Sequence, residues 1–179
     1  MIGRTYVVSL PWLEDHSVLP ANKGLAEKRL KNTVNGIKNI GILRDYENFL
    51  KKEGIVEELN SEDLKDSKCH YLPHRPVIKD YSTTGIRPVF DGSAKSKGSP
   101  SLNDCLVTDP NLAELIPSLI NRFRIGRYDD KDYVRFLWWQ DGDSNIVKIY
   151  RHCRVVFGIK SGPFLLGATL NPLLDGAPD

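Results

Sequence analysis

Cysteine is sparse, and its pattern excludes a whole class of protein. Cys69, Cys105 and Cys153 are odd in number and far apart. That argues against the disulfide framework of a small secreted domain and fits a reducing, intracellular compartment. Long apolar runs are also missing. No stretch reaches the about 18 consecutive apolar residues of a membrane span, so no membrane partner is expected. The opening MIGRTYVVSLPWLEDHS is too polar, and too soon interrupted by Pro11, for a secretion signal. Neither a Gly-x-Ser-x-Gly elbow nor a Walker-type loop occurs, which leaves hydrolase and nucleoside-triphosphatase readings without support. There is no visible internal repeat. Charge of one sign is lacking too: 25 Lys and Arg against 23 Asp and Glu give a net charge of only +2. A balance of that size does not by itself point to nucleic acid.

What remains is an ordinary globular composition, 40% apolar and 27% charged over 179 residues. TYVVSL (5–10) alternates and stops at Pro11, as a short edge strand does. Leu30, Val34 and Ile37 recur at helical spacing, as do Ile42, Leu43, Tyr46, Phe49 and Leu50, with Gly54 as the expected end of the second helix. Both helices are thin in apolar residues and need another surface to pack on. After Ser67 the texture changes. HYLPHRPVIK (70–79) and IRPVFD (86–91) flank a turn and predict a β-hairpin. GSAKSKGSPS (92–101) reads as a loop. Asp109-Pro110 opens a helix whose face is Leu112, Leu115, Ile116, Leu119, Ile120 and Phe123, with Pro117 inside it. YVRFLWW (133–139) and IVKIYRHCRVVFGI (146–159) are strands about an Asp-Gly turn, and SGPFLLGATLNPLL (161–174) ends as a helix. Helices and strands mixed without a βαβ rhythm predict the α+β class.

Several candidate sites carry competing readings. The basic residues Lys95, Lys97, Arg122, Arg124, Arg127, Arg151, Arg154 and Lys160 fit a solvated mixed surface. Cys69-His70 with His74, and His152-Cys153, are conceivable zinc ligands, but no Cys-x2-Cys pair accompanies them, and hydrogen-bonded histidines are the expectation. Trp138 and Trp139 point to opposite strand faces, so one is expected in the core.

GRTYVVSLPW, HYLPHRPVIK, IRPVFDGSAK with SLNDCL, LIPSLINRFRIGR, DYVRFLWW and YRHCRVVFGIKSGPFLLGATL together, in this order, resemble one family. It is the reverse-transcriptase region of BEL/Pao-type LTR retrotransposon polyproteins, and the likeness runs from about Gly3 to Leu174. The resemblance implies the fingers and a partial palm of a right-hand polymerase over 67–175, behind an N-terminal strand and helical extension over 1–66. It implies that Arg87 grips nucleotide phosphates, a task a guanidinium suits through bidentate contacts. Lys79 approaches the same phosphates or the template, Asp91 braces the hairpin, and Phe157, Gly158 and Pro163 floor the nucleotide pocket.

Phosphoryl transfer in such an enzyme uses carboxylates that hold two Mg²⁺ ions. In the family the first carboxylate opens a strand-then-helix segment between RFRIGR and DYVRFLWW. Here Arg127-Tyr128 passes straight to Asp129-Asp130-Lys131-Asp132. The second carboxylate pair lies downstream of GPFLLGATL, past the last residue given. Asp129, Asp130 and Asp132 are expected to form a solvated acidic loop with no metal, so no cofactor is expected for this chain although the intact family uses Mg²⁺. The expectation is a fragment of an RNA-directed DNA polymerase, inactive alone, with template–primer nucleic acid and other parts of a polyprotein as the partners the resemblance implies. Two alternatives stay open: a non-catalytic nucleic-acid-binding remnant using Lys79, Arg87 and the lysine loop, and a degenerate product without function.

Overall fold

A computed structural model describes residues 6–51, 56–64, 68–78, 86–107, 123–125, 128–140, 143–153, 156 and 158–160. Its elements run β1 (Tyr6–Val8), α1 (Lys23–Asn39), α2 (Leu43–Leu50), β2 (Val56–Glu58), β3 (His74–Ile78), β4 (Ile86–Phe90), β5 (Phe123–Ile125), α3 (Tyr128–Lys131), β6 (Arg135–Gln140) and β7 (Asp143–His152). Among the described residues the strands form three sheets, β1 parallel to β5, β2-β7-β6 antiparallel, and the antiparallel pair β3-β4. No described helix is long and apolar enough to cross a membrane.

Helix α1 forms where the sequence places Ala26, Leu30, Val34 and Ile37 one turn apart, and all four are buried. Helix α2 buries Tyr46 and Leu50. It ends at Leu50 with Lys51 as its cap, whose N–H makes the last i→i−4 bond to Glu47; Gly54, expected to close it, lies outside the described residues. The surface that these thin helices need is the β6–β7 sheet and the β3–β4 hairpin. Residues 135–139 of β6 are all buried, so the strand is covered on both faces. Trp138 is the core tryptophan, and Trp139 covers helix α1 rather than standing exposed. Trp138 lies against Tyr46 of α2, with ring centroids 5.5 Å apart, while the Lys38 ammonium of α1 lies 5.3 Å from the Trp139 ring. Each tryptophan face has its own cover.

Phe123 is a correction. It belongs to β5 and pairs with Tyr6 rather than closing a helix. The rest of that expected helix, residues 109–122, lies outside the described residues, as does the expected helix over 161–174.

The acidic run is a second correction. Residues 128–131 form the short helix α3, a 3₁₀ turn follows over Asp132–Val134, and Asp130 and Asp132 are buried rather than solvated. Asp130 accepts the Leu10 N–H at 2.9 Å and the Trp12 indole N–H at 3.0 Å, tying the N-terminal segment to the core. Asp132 accepts the Arg135 guanidinium at 2.7 and 2.9 Å and that of Arg151 at 3.3 Å. Arg135 and Arg151 are register partners on β6 and β7, two like charges side by side. A shared buried carboxylate is what makes that placement tolerable. Arg151 also pairs with Glu57, so it too is buried rather than part of a solvated surface.

Candidate functional site

The β3–β4 hairpin carries the site. Its register sets Arg75 opposite Val89, Val77 opposite Arg87, and Pro76 opposite Pro88. Directly opposed residues share a face, so Arg75, Val77, Arg87 and Val89 lie on one side, and His74, Pro76, Ile78, Ile86, Pro88 and Phe90 on the other. The proline pair is informative. Proline has no N–H to give, so two opposed prolines belong at a position where the ladder needs none. Each outer edge then lacks a donor at its centre, which blocks strand addition from either side.

The root of the hairpin is fixed by His74. One ring nitrogen of His74, Nε2, lies 3.0 Å from the Leu137 carbonyl, and the other, Nδ1, lies 2.7 Å from the Tyr46 hydroxyl. A carbonyl can only accept, so Nε2 carries the proton and donates while Nδ1 accepts from Tyr46. Phe90 packs beside it at 5.3 Å between centroids, and the His152 ring meets Phe90 edge-on at 4.3 Å. Burial lowers the His74 pKa to about 4 and that of His152 to about 3, so both rings are neutral near pH 7. Burial pushes the Tyr46 phenol far above its usual value and keeps it protonated as a donor.

Gly158 rests on this root. Its φ is +107°, and a Cβ there would fall 1.8 Å from the Phe90 carbonyl oxygen. Only glycine permits that approach. Asn103 holds the segment in place. Its side chain accepts the Lys160 N–H at 2.7 Å and donates to the Ser93 hydroxyl at 2.9 Å, while its backbone N–H donates to the Gly92 carbonyl at 2.9 Å. Asn103 sits in a 3₁₀ turn with a capping box between Ser101 and Asp104. The sequence reading missed it, although the spacing Ser-x-x-Asp is the signal of such a cap.

A cavity of about 570 Å³ opens beside the root, between α1 and the hairpin. Helix α1 contributes Arg29, Asn32 and Thr33, the hairpin and its flanks contribute Pro73, His74, Arg75, Val89, Phe90 and Asp91, and Gly158 completes the wall. Asp91 braces the loop after β4. One carboxylate oxygen accepts the Ser93 N–H at 3.1 Å, and the other pairs with Arg29.

Of the residues singled out from sequence, Gly158 lines this cavity and Arg87 does not. Arg87 is exposed, two residues along β4 from Val89 and on the same face. Lys79, Phe157 and Pro163 lie outside the described residues. In the loop after the hairpin, Lys95 pairs with Asp104 at 2.7 Å, and that lysine, with the Ser101 contacts, holds the Asp104 carboxyl well below the usual carboxylate range. Among the described residues no three His, Cys, Asp or Glu side chains gather as a metal site. No family model matches the chain, and no curated protein matches it either.

Proposed function

We propose that this chain is the fingers and partial palm of a reverse transcriptase, retaining contact with nucleic acid without the chemistry. The observation that supports it best is the hairpin itself. Its root is locked into the core through His74 and Phe90, while Arg75 and Arg87 stand exposed on one face of its strands. A two-stranded ribbon with exposed guanidiniums on one face suits a phosphate backbone, where arginine positions rather than reads sequence. Gly158 lines the cavity beside the hairpin, where the resemblance places a floor of the nucleotide pocket.

Polymerase chemistry is a different matter. Two-metal phosphoryl transfer needs carboxylates free to hold the ions. Asp132 is occupied by two arginines, and Asp130 by a backbone N–H and an indole. These carboxylates do not fit Mg²⁺, and no catalytic step is assigned to them.

The reading is tested by titrating a labelled RNA template–DNA primer with the chain at several salt concentrations. Arg87→Ala is expected to weaken binding about tenfold and to lower the steepness of the salt dependence by about one counterion. An unchanged affinity and salt slope would sink the assignment of Arg87.

A further inference from the structure

The cavity beside α1 has a chemistry of its own, apart from Arg87. Its volume, about 570 Å³, falls within the range of roughly 300–1,000 Å³ typical of small-molecule sites. Pro73, Val89 and Phe90 are its apolar lining residues, and Val89, half-buried, shares a strand face with Arg75. Arg75 is exposed and makes no ion pair among the described residues. Arg29 is paired with Asp91, but both side chains are 43% exposed. An ion pair as wet as that holds its partners weakly. Asp91 is the fixed member, because its other oxygen accepts the Ser93 N–H and its own N–H donates to the Pro73 carbonyl at 2.8 Å. Arg29, on a long side chain from the helix, is the member free to change partners.

We propose that this cavity binds a small phosphomonoester, its phosphate taken by Arg29 and Arg75 and its apolar part laid against Val89, with Asp91 giving up Arg29 when the ligand enters. A phosphate dianion suits two guanidiniums because each offers a fork of N–H donors matched to its oxygens. Asn32 adds a neutral amide to the same lining. Asp91 is then a competitor for Arg29, and this gives the proposal an unusual signature: removing a negative charge from the cavity lining tightens binding.

The experiment uses the full chain and phenyl phosphate, with phenol and inorganic phosphate as separate arms. Binding is followed by the Gly158 amide resonance, which reports on the cavity wall, and by calorimetry. Phenyl phosphate is expected to saturate, inorganic phosphate to bind more weakly, and phenol to show no saturation. Arg29→Ala and Arg75→Ala should each weaken phenyl phosphate about tenfold, the size of a lost charge-assisted hydrogen bond. Asp91→Asn should tighten it severalfold. Arg87→Ala should leave it unchanged, because Arg87 does not line the cavity, although Arg75 shares its strand face. The proposal is overturned if the wild-type chain does not saturate, if phenol binds as well as phenyl phosphate, if Asp91→Asn fails to tighten binding in a folded protein, or if Arg87→Ala weakens it as much as Arg75→Ala does.

Discussion

Asp132 holds two arginines that the register of β6 and β7 sets side by side. Removing it leaves two buried guanidiniums short of their shared counter-charge. Asp132→Ala is therefore expected to cost about 3–5 kcal/mol, the penalty for breaking a buried pair from one side. Asp130→Ala removes two hydrogen bonds but strands no buried charge, so it should cost less. Urea denaturation of the two variants decides the order; the reverse ranking would contradict the burial account. The buried histidines give a second residue-scale expectation. Both His74 and His152 have pKa values lowered from 6.5, to about 4 and about 3, chiefly by loss of water. Above pH 6.5 they are neutral in folded and unfolded chains alike, and their contribution is complete. As pH falls below 6.5 the unfolded chain takes up protons that the folded chain refuses, so stability drops progressively towards pH 4. His152→Phe keeps a ring between Phe90 and Phe136 and removes a buried nitrogen that has no hydrogen-bond partner among the described residues. Its melting temperature should fall less steeply between pH 6.5 and 4 than that of the unmodified chain.

At the scale of elements, Gly158 is the contact between the hairpin and the segment after β7. Gly158→Ala places a methyl where the Phe90 carbonyl already sits, at a backbone angle that L residues rarely adopt. The segment 158–160 should lift off the hairpin, seen as loss of amide-exchange protection at Lys160, whose N–H is held by Asn103. Retained protection would mean that the contact carries little. What could be read from sequence divides along a physical line. Local signals were legible: the helical spacing of Leu30, Val34 and Ile37, and the paired strands of the 70–91 hairpin, depend on neighbours a turn or a few residues away. Partners distant in sequence were not. The burial of Asp130 depends on Leu10 and Trp12, about 120 residues earlier along the chain. That of Asp132 depends on a register between two strands. A run of three aspartates looks solvated until its arginines are placed. Phe123 fitted a helical stripe, and a three-residue parallel pairing with β1 took precedence over the periodicity.

For the whole molecule, the carboxylates of Asp130 and Asp132 are committed to structure. They hold the N-terminal segment, β6 and β7 together, while Arg75 and Arg87 of the hairpin stay exposed. Proline opposite proline keeps that hairpin from pairing with other strands, which suits a surface kept open for a different partner. The most direct test combines binding and chemistry in one sample. A fluorescent DNA primer annealed to an RNA template is titrated with the chain in Mg²⁺ and all four deoxynucleotides; anisotropy reports binding, and the length of the recovered primer reports synthesis. Saturable binding that weakens with salt, with a primer of unchanged length, is the predicted result. A lengthened primer, or no binding at low salt by a folded chain, would contradict it.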